Sequence, residues 1–228
     1  GSVGRKRAIR NSRVNSTKLL SDAISKMSNK PEVFILASAI GWYGDRGEEE
    51  LNENSSQGSG FLPDVCSEWE SAASMVEESG VRTVYLRSGI VLTAIGGALA
   101  KMLLPFQLGA GGPMGGGKQW MSWISLDDEI YAIHHLLMSQ GYSGAYNLTA
   151  PEPARQKGFA KVLGRVLRRP AFAPIPRFAI KTIFGEMGVS LTLESQRVMP
   201  NRLVNEGYEF IHTDLEHALR DTLGIWKN

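Results

Sequence analysis

The chain has 228 residues, 43% of them hydrophobic and 21% charged, with a formal net charge of +2. That is enough apolar material for a sizeable core and too little excess charge to attract a phosphate polymer or an anionic lipid surface, so no nucleic-acid partner is expected. The single cysteine, Cys66, excludes an intrachain disulfide and suits a reducing compartment, cytoplasmic or organellar interior. No uninterrupted apolar run approaches the ~20 residues that span a bilayer, so no membrane partner is expected either.

In chain order, the first segment is a helix over 5–27, where Ile9, Val14, Leu19, Leu20, Ala23, Ile24 and Met27 recur near helical spacing and Pro31 ends the pattern. VFILA at 33–37 is a short run of strand formers. A helix over 61–78 opens with Pro63 and Asp64 and closes at Gly80, where a left-handed cap is easiest for glycine. The next strand covers 81–86; runs that are apolar on both faces suit a buried parallel sheet. A helix from Gly97 to about Leu108, a strand over 120–124, a helix over 127–138 and a strand over 145–148 continue the alternation. The pattern predicts a doubly wound α/β layer over residues 1–150. Beyond Pro151 come a helix over 156–167, the proline-punctuated RRPAFAPIPRF and a closing helix over 213–223 capped by Asp214 or Thr213. Residues 151–228 read as a small α+β lobe that packs over the sheet and closes a cleft.

Several local patterns invite a chemical reading. GPMGGGK at 112–118 satisfies G-x-x-x-x-G-K, but Gln119 follows instead of Ser or Thr, and QWMSWI looks extended where a phosphate loop would open a helix. A loop lining a small-molecule pocket is the better expectation. G-x-G-x-x-G has no match. Asp127 and Asp128 follow Ser125 at a helix start and read as caps. His134 and His135 lack a cysteine or carboxylate at ligand spacing, so no metal is expected. The run Glu48, Glu49, Glu50 reads as a solvated loop. Cys66 and Glu70, four apart on one helical face, form either an acid–base pair or, as favoured here, a buried thiol and a solvated carboxylate.

Five blocks carry a family likeness: ASAIGWYGDRGE at 37–48, CSEWESAA at 66–73, LRSGIVL at 86–92, LGAGGPMGGGKQWMSWISLDD at 108–128 and GVSLTLESQRVMPNRLVNEGYEF at 188–210. Together they resemble the extended short-chain dehydrogenase/reductases, in the NAD-dependent epimerase/dehydratase-like branch also labelled cell-division-inhibitor-like. The resemblance implies a Rossmann-like doubly wound parallel sheet whose members open with a strand, a T-G-G-T-G-x-x-G turn and a helix; this chain is expected to start inside a helix that follows the first three strands. It implies NADP as cofactor, with NAD as alternative, and a nucleotide sugar or small carbonyl compound as substrate. It places Arg13 toward the cofactor phosphates and Arg87, Gly89 and Val91 at the strand end that borders the nicotinamide. Ser38 becomes the catalytic hydroxyl, with Tyr43 as a proton donor.

The superfamily's Tyr-x-x-x-Lys pair is absent. Four residues after Tyr43, Tyr85, Tyr131, Tyr142, Tyr146 and Tyr208 stand Gly47, Gly89, His135, Tyr146, Ala150 and His212, and the resemblance puts Val65 and Trp69 where the pair would lie. Two functions stay open: an NAD(P)-dependent epimerase-like oxidoreductase, or a catalytically degenerate protein that binds a nucleotide or a partner, linked to cell or organelle division. A sheet lacking its first strands would present an unpaired edge, so a homo-oligomer is expected.

Overall fold

The computed structural model describes residues 3–176, 178–180, 182, 184–185 and 192–226. Its elements are α1 (Val3–Ser25), β1 (Val33–Ala39), a 3₁₀ turn (Ile40–Tyr43), β2 (Glu50–Leu51), α2 (Phe61–Ser71), α3 (Ser74–Glu78), β3 (Arg82–Ser88), β4 (Ile90–Leu92) and α4 (Gly97–Gln107). They continue with β5 (Trp120–Met121), β6 (Trp123–Ser125), α5 (Leu126–Met138), β7 (Gly144–Leu148), β8 (Ala154–Arg155), α6 (Gln156–Val166), β9 (Arg197–Val198), α7 (Asn201–Asn205) and α8 (Leu215–Leu223).

The strand-forming runs VFILA and TVYLRS pair in parallel, and β7 joins them to give the order β1-β3-β7. Successive side chains alternate across this sheet. Phe34, Leu36 and Tyr85 pack with Ile24, Ala73 and Val76 of α1 and the α2–α3 region, whereas Val33, Ile35, Val84 and Leu86 pack with Ala132 and Leu136 of α5. Helices therefore cover both faces, which is the doubly wound layer the sequence pattern predicts.

The helix expected over 61–78 is broken. The chain turns at Ala72 and Ala73, and the Val76 amide divides its hydrogen bond between Ala73 O at 3.1 Å and Ser21 Oγ of α1 at 3.0 Å, so a side chain from another helix shares a backbone donor at the break. The strand ending at Ser88 also bends: Gly89 N donates to Leu148 O, but Ile90 N already donates to Ser122 O, and β4 pairs with β6 in place of the main sheet. A Cβ at Gly89 would lie 2.6 Å from the Ser122 carbonyl oxygen, so only glycine permits the crossing.

A second core holds the C-terminal part against this layer. Leu99, Met102 and Phe106 of α4, Trp123, Phe159 and Leu163 of α6, and Ala218 and Leu219 of α8 are buried together. Asp214 caps α8, its Oδ1 accepting from His217 N at 2.8 Å. Among the described residues no helix is long and apolar enough to cross a membrane.

Candidate functional site

Beyond the carboxyl ends of β1 and β3 lies a cavity of about 560 Å³. Ligands of open parallel sheets bind in this position, because neighbouring connections diverge there and leave a crevice. Ala39, Gly41, Ser88, Gly89, Ile90 and Val91 form its floor; Ala98, Lys101 and Met102 of α4 and Trp120 to Ser122 form walls; Thr192, Glu194 and Gln196 close it from the C-terminal side. Two cations, Arg5 and Lys101, reach its lining. Burial, and then the charge of Asp45, push the Glu194 carboxyl above its ordinary range, and Glu194 Oε2 is buried with no hydrogen-bond partner among the described residues.

Directly behind the cavity runs a polar row that the register creates. Ser38, Arg87 and Asn147 sit side by side on β1, β3 and β7. The Arg87 guanidinium donates to both Glu70 oxygens, at 2.9 and 2.8 Å, and lies 3.6 Å from the Trp42 ring centre. Ser38 Oγ donates to Glu70 Oε1 at 2.7 Å. The Tyr43 hydroxyl accepts from Arg87 at 3.2 Å and donates to Asn147 Oδ1 at 2.7 Å. Burial raises the Tyr43 phenol despite Arg87 beside it. A buried arginine in a strand needs such partners, since an uncompensated charge in a dry site is costly.

The six residues predicted for the site thus fall into three places. Ser38, Tyr43 and Arg87 are brought together, but into this closed network, away from the cavity lining. Gly89 and Val91 line the cavity, and the space a Gly89 side chain would take belongs to the Ser122 backbone. Arg13 lies on α1, 5.3 Å from the Trp69 ring centre and outside the cavity lining. The glycine loop also lies elsewhere: Cβ atoms at Gly111 and Gly112 would strike the Phe106 ring and the Ala173 carbonyl, and Gly117 and Lys118 line a separate hollow with Arg155, Lys157 and Lys161.

Glu70 is not the solvated carboxylate expected, because Arg87 draws it inward and leaves its side chain 12% exposed. Cys66 is buried, and burial followed by the Glu70 charge pushes its thiol up to about 12. The acidic run is not merely solvated: Glu48 and Glu50 pair with Arg155 and Arg197, which flank Trp120, and Glu49 pairs with Arg46. Asp127, His212 and Asp221 bring one ligand atom each within 4.8 Å, but the His212 ring already meets Ser125 Oγ at 3.0 Å and Asp221 Oδ2 at 3.2 Å. Ser88, Lys101 and Glu194, which line the cavity, and Glu129 behind it were not singled out from sequence. Ser88 had a signal, its place in the LRSG block at a strand's carboxyl end.

Residues 175–222 match the family described as a domain of unknown function, DUF1731. A Bacillus subtilis relative, epimerase family protein YfhF, is 39% identical over 215 residues, covering 94% of this chain and 70% of that protein. The chain belongs to this epimerase family. The chloroplastic SDR39U1 homolog of Arabidopsis thaliana is 41% identical over 217 residues, and the chain spans 62% of its length. The crystal structure of human epimerase family protein SDR39U1 (isoform 2) with NADPH superposes with a TM-score of 0.91 at 34% identity, covering 98% of this chain and 76% of that one. A nucleoside-diphosphate sugar epimerase from Corynebacterium glutamicum gives 0.81 at 32% identity, covering 98% of this chain and 44% of that chain. The Rossmann-like fold class is common to these relatives. Within the fifth block, residues 188–191 lie outside the described residues.

Proposed function

We propose that the chain forms the substrate-side part of an NAD(P)(H)-dependent, epimerase-like oxidoreductase, and that its cavity receives the nicotinamide end of the cofactor beside a small hydroxyl or carbonyl compound such as a nucleotide sugar. The observation that carries this reading is the cavity at the carboxyl ends of β1 and β3, with backbone at Gly41 and Gly89 and cations at Arg5 and Lys101. Its donor set fits the group: a flat ring can lie against an apolar floor, and guanidinium and ammonium groups suit phosphate oxygens. The relative crystallised with NADPH supports NADP over NAD. When bound, the cofactor would supply hydride transfer. The chain's own part is to hold the ring against Gly89 and Val91, to bind phosphate through Arg5 and Lys101, and to fix substrate hydroxyls through Ser88, Ser122 and Glu194. In this reading Ser38, Tyr43 and Arg87 act from behind, setting the shape of the strand ends. We also propose that residues 1–150 are the C-terminal part of a Rossmann-like domain and that 151–228 form a small substrate-side lobe over it.

Titration with NADPH, followed by tryptophan quenching, tests the reading. Lys101→Ala and Arg5→Ala should each weaken binding roughly fivefold or more, and absence of any saturable quenching would remove the proposal. One observation favours the second reading, a degenerate binding protein linked to cell or organelle division. Where the superfamily's lysine is expected, Trp69 donates to Thr17 Oγ1 at 3.0 Å and serves the α1–α2 contact. Saturable NADPH binding without turnover on any member of a carbonyl panel would move the assignment to that reading.

A further inference from the structure

The half-buried acid Glu129 takes no part in the polar row. Glu129 lies in the first turn of α5, three residues before Ala132, which packs in the apolar cluster that also holds Leu86, Val91 and Ile124. Its Oε1 accepts from Ser88 Oγ at 2.5 Å, and its Oε2 is buried with no hydrogen-bond partner among the described residues. Ser88 is the last residue of β3 and lines the cavity. Other titratable groups near it are Asp128, which is taken up by backbone amides, and Tyr208, whose hydroxyl is bonded to Asp128; among the described residues no Lys or Arg pairs with Glu129. Burial pushes its carboxyl up to about 7, opposed only by the Ser88 hydrogen bond.

We propose that Ser88 and Glu129 are the proton-exchanging pair of the cavity: Ser88 meets the oxygen of the bound hydroxyl or carbonyl compound, and Glu129 behind it takes or returns the proton. The inference rests on the cofactor reading above for its substrate class. In the oxidising direction the substrate hydroxyl gives its proton to Ser88 Oγ while the Ser88 proton passes to Glu129 Oε1. The electron pair left on the substrate oxygen forms the C=O bond as the carbon gives up a hydride to the oxidised nicotinamide. The reverse direction returns the same proton and hydride. Glu129 is a positioning and proton-storing residue, because Ser88 stands between it and the substrate. A short hydrogen bond with a single donor suits that role: the carboxylate is held in place without a cation that would keep it ionised. Such a pair supplies a proton site near neutral pH in a chain without Tyr-x-x-x-Lys.

Isotope-edited infrared spectroscopy of the intact chain, labelled at the glutamate carboxyl carbon, reads the pair directly between pH 5 and 9. The expected result is one protonated-carboxyl band that titrates near pH 7 and is lost in Glu129→Gln. Ser88→Ala should make Glu129 hold its proton roughly tenfold tighter, and Ser88→Thr, which keeps the hydroxyl, should restore the wild-type midpoint. Saturating NADPH should raise the midpoint by excluding water beside Ser88. No such band, an unmoved midpoint in Ser88→Ala, or NADPH that binds without moving the midpoint would overturn the proposal. If NADPH fails to quench the wild-type tryptophans while the band and its Ser88 dependence appear, the proton pair stands and the cofactor reading falls.

Discussion

Removing the Glu70 carboxylate isolates a buried cation. Arg87 has a side chain 6% exposed, and two of its three described polar contacts go to Glu70. Glu70→Gln keeps the shape but withdraws the countercharge from a site where desolvation is nearly complete, and breaking a buried pair from one side costs about 3–5 kcal/mol. For a chain of this size that corresponds to a melting temperature lower by roughly 10 °C. Urea unfolding followed by tryptophan emission gives the loss directly, with an unchanged m-value showing that the folded state is otherwise intact. Replacing the pair together, as Glu70→Leu with Arg87→Met, should cost much less than the sum of the single changes, because no charge is then stranded. A Glu70→Gln protein within ~0.5 kcal/mol of wild type, or strict additivity in the cycle, would refute the claim that this pair organises the strand ends.

Gly89→Ala should lose about 1–3 kcal/mol, since its Cβ would meet the Ser122 carbonyl oxygen at 2.6 Å; denaturant midpoints check this. Glu129 binds its proton more tightly folded, at about 7, than at its ordinary value of 4.5, so its contribution to stability is present below pH 4.5 and is lost as pH rises through 7. Glu129→Gln should therefore gain up to about 3 kcal/mol over wild type at pH 8 and none near pH 4, a difference that unfolding curves at the two pH values measure. Cys66, with its thiol pushed up to about 12, should resist alkylation at pH 8 in the native chain and react only on unfolding, which a mass-spectrometric time course reads. Within the described strands β1 has one partner, and Leu19 and Leu20 are 72% and 53% exposed, so the chain should self-associate at micromolar concentration; sedimentation that shows a monomer would count against it.

The layer was legible because its signals are local. VFILA and the 81–86 run each report burial from one short window and pair in one parallel sheet, whereas the strand expected over 120–124 splits into β5 and β6, which pair outside it. The cap on α8 was equally readable from Asp214. What escaped depends on register. Nothing near Glu70 in sequence announces that Arg87 will face it from β3, and Ser38, assigned to the substrate from the family resemblance, instead donates to this carboxylate 32 residues away in the chain. A charged residue inside a run of buried strand formers was the available clue, since Arg87 required an acid somewhere. The break at Ala72 and Ala73 was invisible for the same reason: it answers to Ser21 on another helix.

Asp128 joins the start of one helix to a stretch more than eighty residues later. It is fully buried, accepts the amides of Ile211 and His212 at 2.8 and 2.9 Å and the Tyr208 hydroxyl at 3.1 Å, and shares Ser125 Oγ. Those donors share one acceptor, so the closing segment of the chain is fastened to the first turn of α5 at a single side chain. One carboxylate thus couples two distant stretches of the chain: releasing the tail strips Asp128 of the Tyr208, Ile211 and His212 donors, and disturbing the start of α5 unfastens the tail.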